Sequence, residues 1–217
     1  MAVMQPQTTT RPRPHRKKLT PEQLYESLDE DIKAELIHGE VITMSPVAIQ
    51  HARLQRFFFR VLDEFVEEHE LGELFVDQTE MRLGSNRYVP DASFVASEHL
   101  DRVKVTRIEG PADLVVEITC PETAGRDWGI KMRDYEQAGV REYWLVNPIV
   151  EQVNVYVLGN DGKYTAIAPD EKGAYHSVVL PGLFISTQWL CLARIKSPIR
   201  EPRSRQSPCC RGTIPLL

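Results

Sequence analysis

Two acidic residues of this 217-residue chain, Asp91 and Glu117, are the first candidates for chemistry. Glu117 stands inside the apolar run 114–119, where a carboxylate is costly to bury unless a partner such as a metal ion compensates its charge. Asp91 follows Pro90 in another predicted strand and is also flanked by apolar residues. Two carboxylates from adjacent strands would provide the oxygen ligands that Mg²⁺ prefers, and Mn²⁺ could use the same ligands. Such an ion could activate a water molecule for hydrolysis.

Lys131 could complete this site from the helix that is predicted to follow. Asp127, Lys131 and Tyr135 are spaced at i, i+4 and i+8, so they share one helix face. An ammonium group near the end of the strand that carries Glu117 could orient the attacking water or offset the charge that develops on a phosphate. Tyr135 could orient Lys131 or simply pack.

The same residues also have ordinary structural explanations, which spacing alone leaves open. Asp91 could cap a turn, and Glu117 could pair with a buried arginine. Asp127 and Lys131 could form an exposed ion pair of little energetic value. His51 is a weaker candidate, because a lone histidine is more often a satisfied structural residue than a general base.

The apolar patterns that would position these residues indicate a mixed α/β fold. A helix is predicted over residues 49–69, because apolar residues recur there at steps of three and four. The run 114–119 is typical of a strand buried on both faces. The other predicted helices cover 21–28 and 127–138, and the other predicted strands cover 35–44, 73–83, 88–95, 142–146, 150–158 and 163–168. This order predicts a mixed sheet with helices packed on it.

Charge is distributed unevenly along the chain. Residues 1–18 contain five basic and no acidic residues, and residues 194–217 contain six basic residues and one acidic residue. The intervening residues 19–193 contain 15 basic and 30 acidic residues. This acidic part is a poor general binder of phosphate backbones, so contact with nucleic acid requires a local basic patch, the basic ends, or bridging by divalent metal ions.

Length and composition predict one folded domain over residues 19–195, between two disordered basic tails at 1–18 and 196–217. No apolar run approaches the roughly 20 residues of a membrane-spanning helix, and the first residues lack the apolar region of a secretory signal. We therefore expect a cytoplasmic protein with no membrane partner. The four cysteines lack CxxC spacing, which argues against a structural zinc site or a disulfide framework.

Several separated segments form a pattern in a fixed order. They are residues 35–41, Met44-Ser45-Pro46, His51, residues 89–91, residues 114–118, Asp127 with Lys131 and Tyr135, and residues 139–146. This pattern resembles the Uma-two family, a bacterial group of endonucleases within the PD-(D/E)xK nuclease superfamily. The similarity spans residues 19–192, nearly the whole predicted domain.

The resemblance implies a restriction-endonuclease-like fold, with a mixed central sheet flanked by helices. It implies that Asp91 and Glu117 hold a divalent cation and that a lysine assists hydrolysis. The superfamily usually places this lysine two residues after the acidic residue, where this chain has Thr119, so the resemblance makes Lys131 its replacement. It also adds Glu40 as an acidic contributor, although Glu40 could equally be a surface carboxylate beside a bend at Gly39.

The leading hypothesis is a Mg²⁺-dependent endodeoxyribonuclease with Asp91 and Glu117 as metal ligands, Lys131 as electrostatic assistant and DNA as partner. The alternative is a catalytically silent nuclease-fold module that binds nucleic acid or a protein, which the acidic core and Thr119 motivate. Hydrolysis of another phosphorylated compound is a third hypothesis. Two subunits could pair as a homodimer to cut both strands, and the residue pattern does not decide this.

Overall fold

A six-stranded mixed sheet carries most of the buried core. The structure is a computed structural model that describes residues 19–29, 31–44, 46–76, 79–119, 124–150 and 152–189. Its strands are β1 (Ala34–Ile37), β2 (Glu40–Thr43), β3 (Gly72–Val76), β4 (Glu80–Leu83), β5 (Asn86–Tyr88), β6 (Ala92–Ala96), β7 (Arg107–Glu109), β8 (Leu114–Ile118), β9 (Glu142–Asn147), β10 (Gln152–Leu158), β11 (Tyr164–Ile167), β12 (Ala174–His176) and β13 (Phe184–Ser186). Its helices are α1 (Pro21–Glu26), α2 (Ile49–Glu68), α3 (Ala124–Arg126) and α4 (Met132–Ala138), with a 3-10 helix at Ser97–Arg102 and a π-helical turn at Asp127–Lys131.

The strands form two larger sheets and one hairpin. The six-stranded sheet has the order β11-β10-β9-β8-β6-β3, and the second sheet has the order β2-β1-β5-β4-β7. In the first sheet β8 and β9 are parallel, and the other neighbours are antiparallel. The strands β12 and β13 pair separately. The mixed sheets with packed helices agree with the predicted fold class.

Helix α2 packs on one face of the six-stranded sheet. Its fully buried apolar residues recur at steps of four, and they are Leu54, Phe58, Leu62 and Val66. This confirms the helix predicted over residues 49–69. Val116 and Ile118 of β8 belong to the same core cluster, whereas Val115 belongs to the cluster on the opposite face. Because side chains alternate along a strand, Glu117 lies on the face of Val115.

Helix α4 and the second sheet cover this opposite face. The ring of Tyr135 in α4 packs edge-on against Tyr88 at 5.1 Å and against Tyr143 at 5.3 Å between ring centroids. Tyr143 and Trp144 are both buried in β9. The aromatic contacts hold α4 and the preceding π-helical turn close to β8.

The single strand predicted over residues 35–44 is wrong, because this segment is a hairpin of β1 and β2. His38 and Gly39 form its turn with φ angles of +51° and +78°. Two consecutive residues with positive φ are typical of a two-residue type I′ hairpin turn. The predicted bend at Gly39 is therefore a complete chain reversal.

The strands predicted over 73–83 and 88–95 are each divided between the two sheets. Strands β4 and β5 form a hairpin around Gly84, whereas β3 pairs with β6 in the six-stranded sheet. Pro90 lies between β5 and β6, where a residue without a backbone donor suits a break in pairing. The apolar pattern runs through each predicted strand, so it did not show that each segment contributes one strand to each of the two sheets.

The remaining helix predictions are correct in position. Thr20 caps α1, which ends at Glu26 and not at residue 28 as predicted. The helix predicted over 127–138 is present with a π-helical turn at its start, and Gly139 ends it in the left-handed conformation. Among the helices of the described residues, none is both long and apolar enough to span a bilayer. The predicted tails, residues 1–18 and 196–217, lie outside the described residues.

Candidate active site

The structure brings Asp91 and Glu117 near each other where strands β6 and β8 end their pairing. Ala92 pairs with Val116, and Asp91 and Glu117 are the next residues along the two segments. Oδ2 of Asp91 accepts a hydrogen bond of 2.7 Å from the backbone N–H of Ile118, the residue after Glu117. Asp91 is 6% exposed and Glu117 is 5% exposed. Burial raises the pKa of Glu117, and the charge of Asp91 is near enough to add to this rise.

Lys131 reaches this pair from the π-helical turn. Its ammonium Nζ donates to Oε1 of Glu117 at 2.9 Å and lies 2.8 Å from Oε1 of Glu35. Oδ1 of Asp127 is 3.7 Å from the same nitrogen. Asp127 and Lys131 are both buried, so the alternative of an exposed ion pair is wrong. Glu117 pairs with this lysine and not with a buried arginine.

Glu35 is an acidic residue of the cluster that the sequence analysis did not select. It comes from β1 in the second sheet, and its carboxylate is fully buried. Oε1 accepts a hydrogen bond of 3.1 Å from the backbone N–H of Val89, whereas Oε2 has no hydrogen-bond partner among the described residues. The signal was available, because Glu35 stands between apolar residues in the same way as Glu117.

Glu40 is not brought into the cluster. It is exposed at the start of β2, where it pairs across the hairpin with Ile37. The hairpin turn leaves Glu35 on the side that faces Lys131 and Glu40 at the solvent. The structure therefore places Glu35, and not Glu40, in the cluster around Lys131.

Asp91 is also tied to helix α2. Nε2 of His51 lies 2.9 Å from Oδ1 of Asp91, and Nε2 of Gln55 donates to the backbone carbonyl of Asp91 at 3.4 Å. Both contacts come from the first two turns of α2, so this helix fixes the orientation of the Asp91 carboxylate. His51 is buried and has a carboxylate partner, which gives it a positioning role at the site.

Two tyrosines donate hydrogen bonds to residues of this cluster. The hydroxyl of Tyr135 donates to Oε1 of Glu117 at 2.8 Å, so it orients Glu117 and not Lys131. The hydroxyl of Tyr143 donates to the backbone carbonyl of Asp127 at 3.2 Å. Together these bonds fix both ends of the segment that carries Lys131.

Negative charge is in excess at this site. Burial raises the pKa of Glu117 to about 8, with Lys131 opposing the rise and the carboxylates of Asp127, Asp91 and Glu35 adding to it. Burial alone would lower the pKa of Lys131, but the adjacent carboxylates of Glu117, Glu35 and Asp127 outweigh it and raise this pKa above its usual range. Lys131 is therefore a permanent cation, and a further positive charge would favour the ionised form of Glu117.

The raised pKa of Glu117 makes the stability of the metal-free protein depend on pH. The unfolded chain loses this proton near the ordinary value of 4.5, before the folded chain does. Protonated Glu117 thus stabilises the fold fully at low pH, and this contribution is lost as the pH rises through about 8.

We expect the thermal unfolding midpoint to fall over this range and the fall to be smaller in Glu117→Gln. Calorimetric melts would measure it, with exposed Glu64→Gln as control; equal pH slopes in all three proteins would contradict the prediction.

The donor set fits a hard divalent cation. Within the described part of the chain, no three His, Cys, Asp or Glu side chains are arranged to hold a metal ion together. Mg²⁺ is commonly held by one or two carboxylates with waters in its other positions. Asp91 and Glu117 provide such a pair, and the buried Oε2 atom of Glu35, which lacks a hydrogen bond, adds to the negative charge that a cation would offset.

The mixed central sheet with flanking helices is the restriction-endonuclease-like fold. The family described as "Uma2: Putative restriction endonuclease" matches residues 21–188, and the chain belongs to this family. A crystal structure described as "a putative nuclease belonging to DUF820 from Anabaena variabilis ATCC 29413" is similar with a TM-score of 0.67. The two chains are 19% identical, and the similarity covers 81% of this chain and 99% of that one. No curated protein sequence matches this chain.

Proposed function

We propose that this protein is a metal-dependent endonuclease that hydrolyses phosphodiester bonds of DNA. The observation that carries the proposal is a pair of nearly buried carboxylates at neighbouring strand ends, with Asp91 bonded to the N–H of Ile118 and Glu117 bonded to the ammonium of Lys131. A purely structural role does not account for this arrangement well, because three buried carboxylates share one buried lysine. A divalent cation would offset the remaining negative charge.

In this mechanism Asp91 and Glu117 would hold Mg²⁺, for which Mn²⁺ could substitute. When bound, such a cation activates water for attack and stabilises negative charge on the phosphate. Lys131 and Tyr135 hold Oε1 of Glu117, which leaves the orientation of this carboxylate fixed before substrate arrives. The Ile118 N–H does the same for Asp91. Fixed ligands avoid a reorganisation cost during the reaction.

An arginine stripe on helix α2 supports DNA as the partner of an otherwise acidic domain. Arg53, Arg56 and Arg60 are spaced at i, i+3 and i+7, on the side of the helix opposite its buried residues. None of the three has an ion-pair or hydrogen-bond partner among the described residues. Unpaired guanidinium groups suit phosphate contacts, so this stripe provides the local basic patch that the acidic composition requires.

The alternative function is a catalytically silent module of the same fold. The observation that favours it is Thr119, which occupies the usual position of the superfamily lysine. Thr119 is buried, and its hydroxyl has no hydrogen-bond partner among the described residues. Titration of the protein with Mg²⁺ in a calorimeter separates the two functions. Absence of any binding that depends on Glu117 would favour the silent module.

A cleavage assay tests the proposed function directly. Purified protein would be incubated with supercoiled plasmid, linear duplex and single-stranded DNA in the presence of Mg²⁺, Mn²⁺ or a chelator. We expect cleavage of internal bonds with either metal and none with the chelator. A homodimer would favour double-strand cuts over nicks. Light scattering of the protein bound to DNA would measure how many copies of the chain are present. Equal product in the chelator would contradict metal dependence, and no cleavage of any DNA would contradict the proposal.

We also propose a cytoplasmic location and the domain limits 19–195. The family match over residues 21–188 is consistent with these limits. Limited proteolysis followed by mass spectrometry would measure the protected range.

A further inference from the structure

Arg126 is a second cation at the site, and it is held loosely. Its Nε lies 3.8 Å from Oε2 of Glu35. Both atoms are buried, and neither has a hydrogen-bond partner among the described residues. A separation of 3.8 Å is too long for a hydrogen bond. The two groups therefore attract each other by charge without the geometry of a settled ion pair.

Lys131, by contrast, is held closely by the carboxylates. Its ammonium has three N–H donors, two carboxylate oxygens lie within 2.9 Å of its nitrogen, and a third lies at 3.7 Å. Only 2% of its side chain is exposed. A phosphate could reach Lys131 only after one of its short charged contacts to Glu35 or Glu117 had broken. Lys131 thus serves to hold the carboxylates, and it leaves the contact with substrate to another group.

Arg126 has the access that Lys131 lacks. Its side chain is 17% exposed, against 2% for that of Lys131. A guanidinium group is planar and can donate two parallel hydrogen bonds to phosphate oxygens. Leaving Glu35 would cost little, because the contact that is lost is not a hydrogen bond.

We propose that Arg126 is the phosphate-binding residue of this site. In the free protein its guanidinium group lies against Glu35. In the complex it donates to the non-bridging oxygens of the substrate phosphodiester, beside the carboxylates of Asp91 and Glu117 that would hold the metal ion. This inference rests on the proposed function and adds the group that contacts the substrate. It also gives the two basic side chains different roles: Lys131 positions Glu117, and Arg126 binds the phosphate.

The test compares phosphate affinity in three variants. Binding of a trinucleotide with ordinary phosphodiester links and of a matched trinucleotide with uncharged methylphosphonate links would be measured by fluorescence anisotropy with Mg²⁺ present. Arg126→Gln is expected to weaken binding of the phosphodiester form about 10- to 100-fold, since a hydrogen bond to a charged group is lost. Arg126→Lys keeps the charge but loses the paired donors, so it should fall in between. The matched control is Arg133→Gln, an exposed arginine of α4 that donates only to the backbone carbonyl of Gly129.

Two further readouts separate phosphate binding from structural support. Mg²⁺ affinity by calorimetry and the thermal unfolding midpoint should be preserved in Arg126→Gln. Equal affinities of Arg126→Gln and the unaltered protein for the phosphodiester trinucleotide would overturn the inference, as would an equal loss for the methylphosphonate one. This binding test does not depend on cleavage, so the inference about Arg126 can fail while the cleavage assay succeeds, and the reverse.

Discussion

Asp91→Asn and Glu117→Gln are each expected to abolish DNA cleavage while the fold is retained. Both replacements keep the shape of the side chain but remove the negative charge that a divalent cation requires. Loss of metal-assisted stabilisation worth several kcal/mol corresponds to a rate reduction of roughly 10²- to 10⁴-fold. Single-turnover cleavage of plasmid with saturating Mg²⁺ would measure the rate, and calorimetric titration would measure the accompanying loss of Mg²⁺ binding.

Asp113→Asn is the matched control for this experiment. Asp113 is buried directly before β8 and has a histidine partner, with Oδ1 lying 2.9 Å from Nδ1 of His99. It therefore repeats the burial and the histidine contact of Asp91 at the opposite end of the strand, away from the cluster. Cleavage should survive in this variant. Undiminished cleavage in both Asp91→Asn and Glu117→Gln would refute the assigned site.

Lys131→Met is expected to cost the fold about 3–5 kcal/mol, because it leaves buried carboxylates without their shared cation. Methionine has a similar volume, so the loss reflects charge and not a cavity. For a domain of this size each ~1 kcal/mol shifts the melting temperature by roughly 2–4 °C. Thermal melts of the metal-free protein would measure the change. The deficit should shrink toward acidic pH, where the carboxylates become protonated and need no partner.

Lys163→Met is the comparison for the lysine variant. Its ammonium also lies 2.9 Å from a glutamate oxygen, that of Glu136, but 69% of its side chain is exposed. Exposed pairs contribute roughly 0–1 kcal/mol, so this variant should melt close to the unaltered protein. Adding Glu117→Gln to Lys131→Met should restore part of the lost stability. Equal melting temperatures of the two single lysine variants would contradict the buried network.

Much of the candidate site could be predicted because the relevant signals are local. A glutamate inside a buried strand is conspicuous in any sequence, and the spacing of Lys131 places it on a known face of its helix. Strand β8 and helices α2 and α4 follow from periodicity for the same reason. Glu35 carried the same local signal as Glu117, but its strand was predicted to extend through the hairpin turn. The family resemblance pointed to Glu40 instead.

The exposure of Lys131 could not be predicted from spacing. An i, i+4 pair with Asp127 is usually solvated, and only the packing of Tyr135 between Tyr88 and Tyr143 buries this face of the helix. The contact of His51 with Asp91 is of the same kind, since it joins residues 40 positions apart.

By itself the sequence determined which carboxylates would be costly to bury, namely Glu117 and Asp91. The apolar neighbours of Glu35 carry the same signal. That property depends only on residue type and on the period of the surrounding apolar residues. The tertiary structure alone decided that two sheets meet so that Glu35 and Glu117 share one lysine, and that Arg126 is left with a loose contact. Such meetings depend on the pairing of distant strands, because the energy that fixes them is the burial of the common core and not a preference of any single segment.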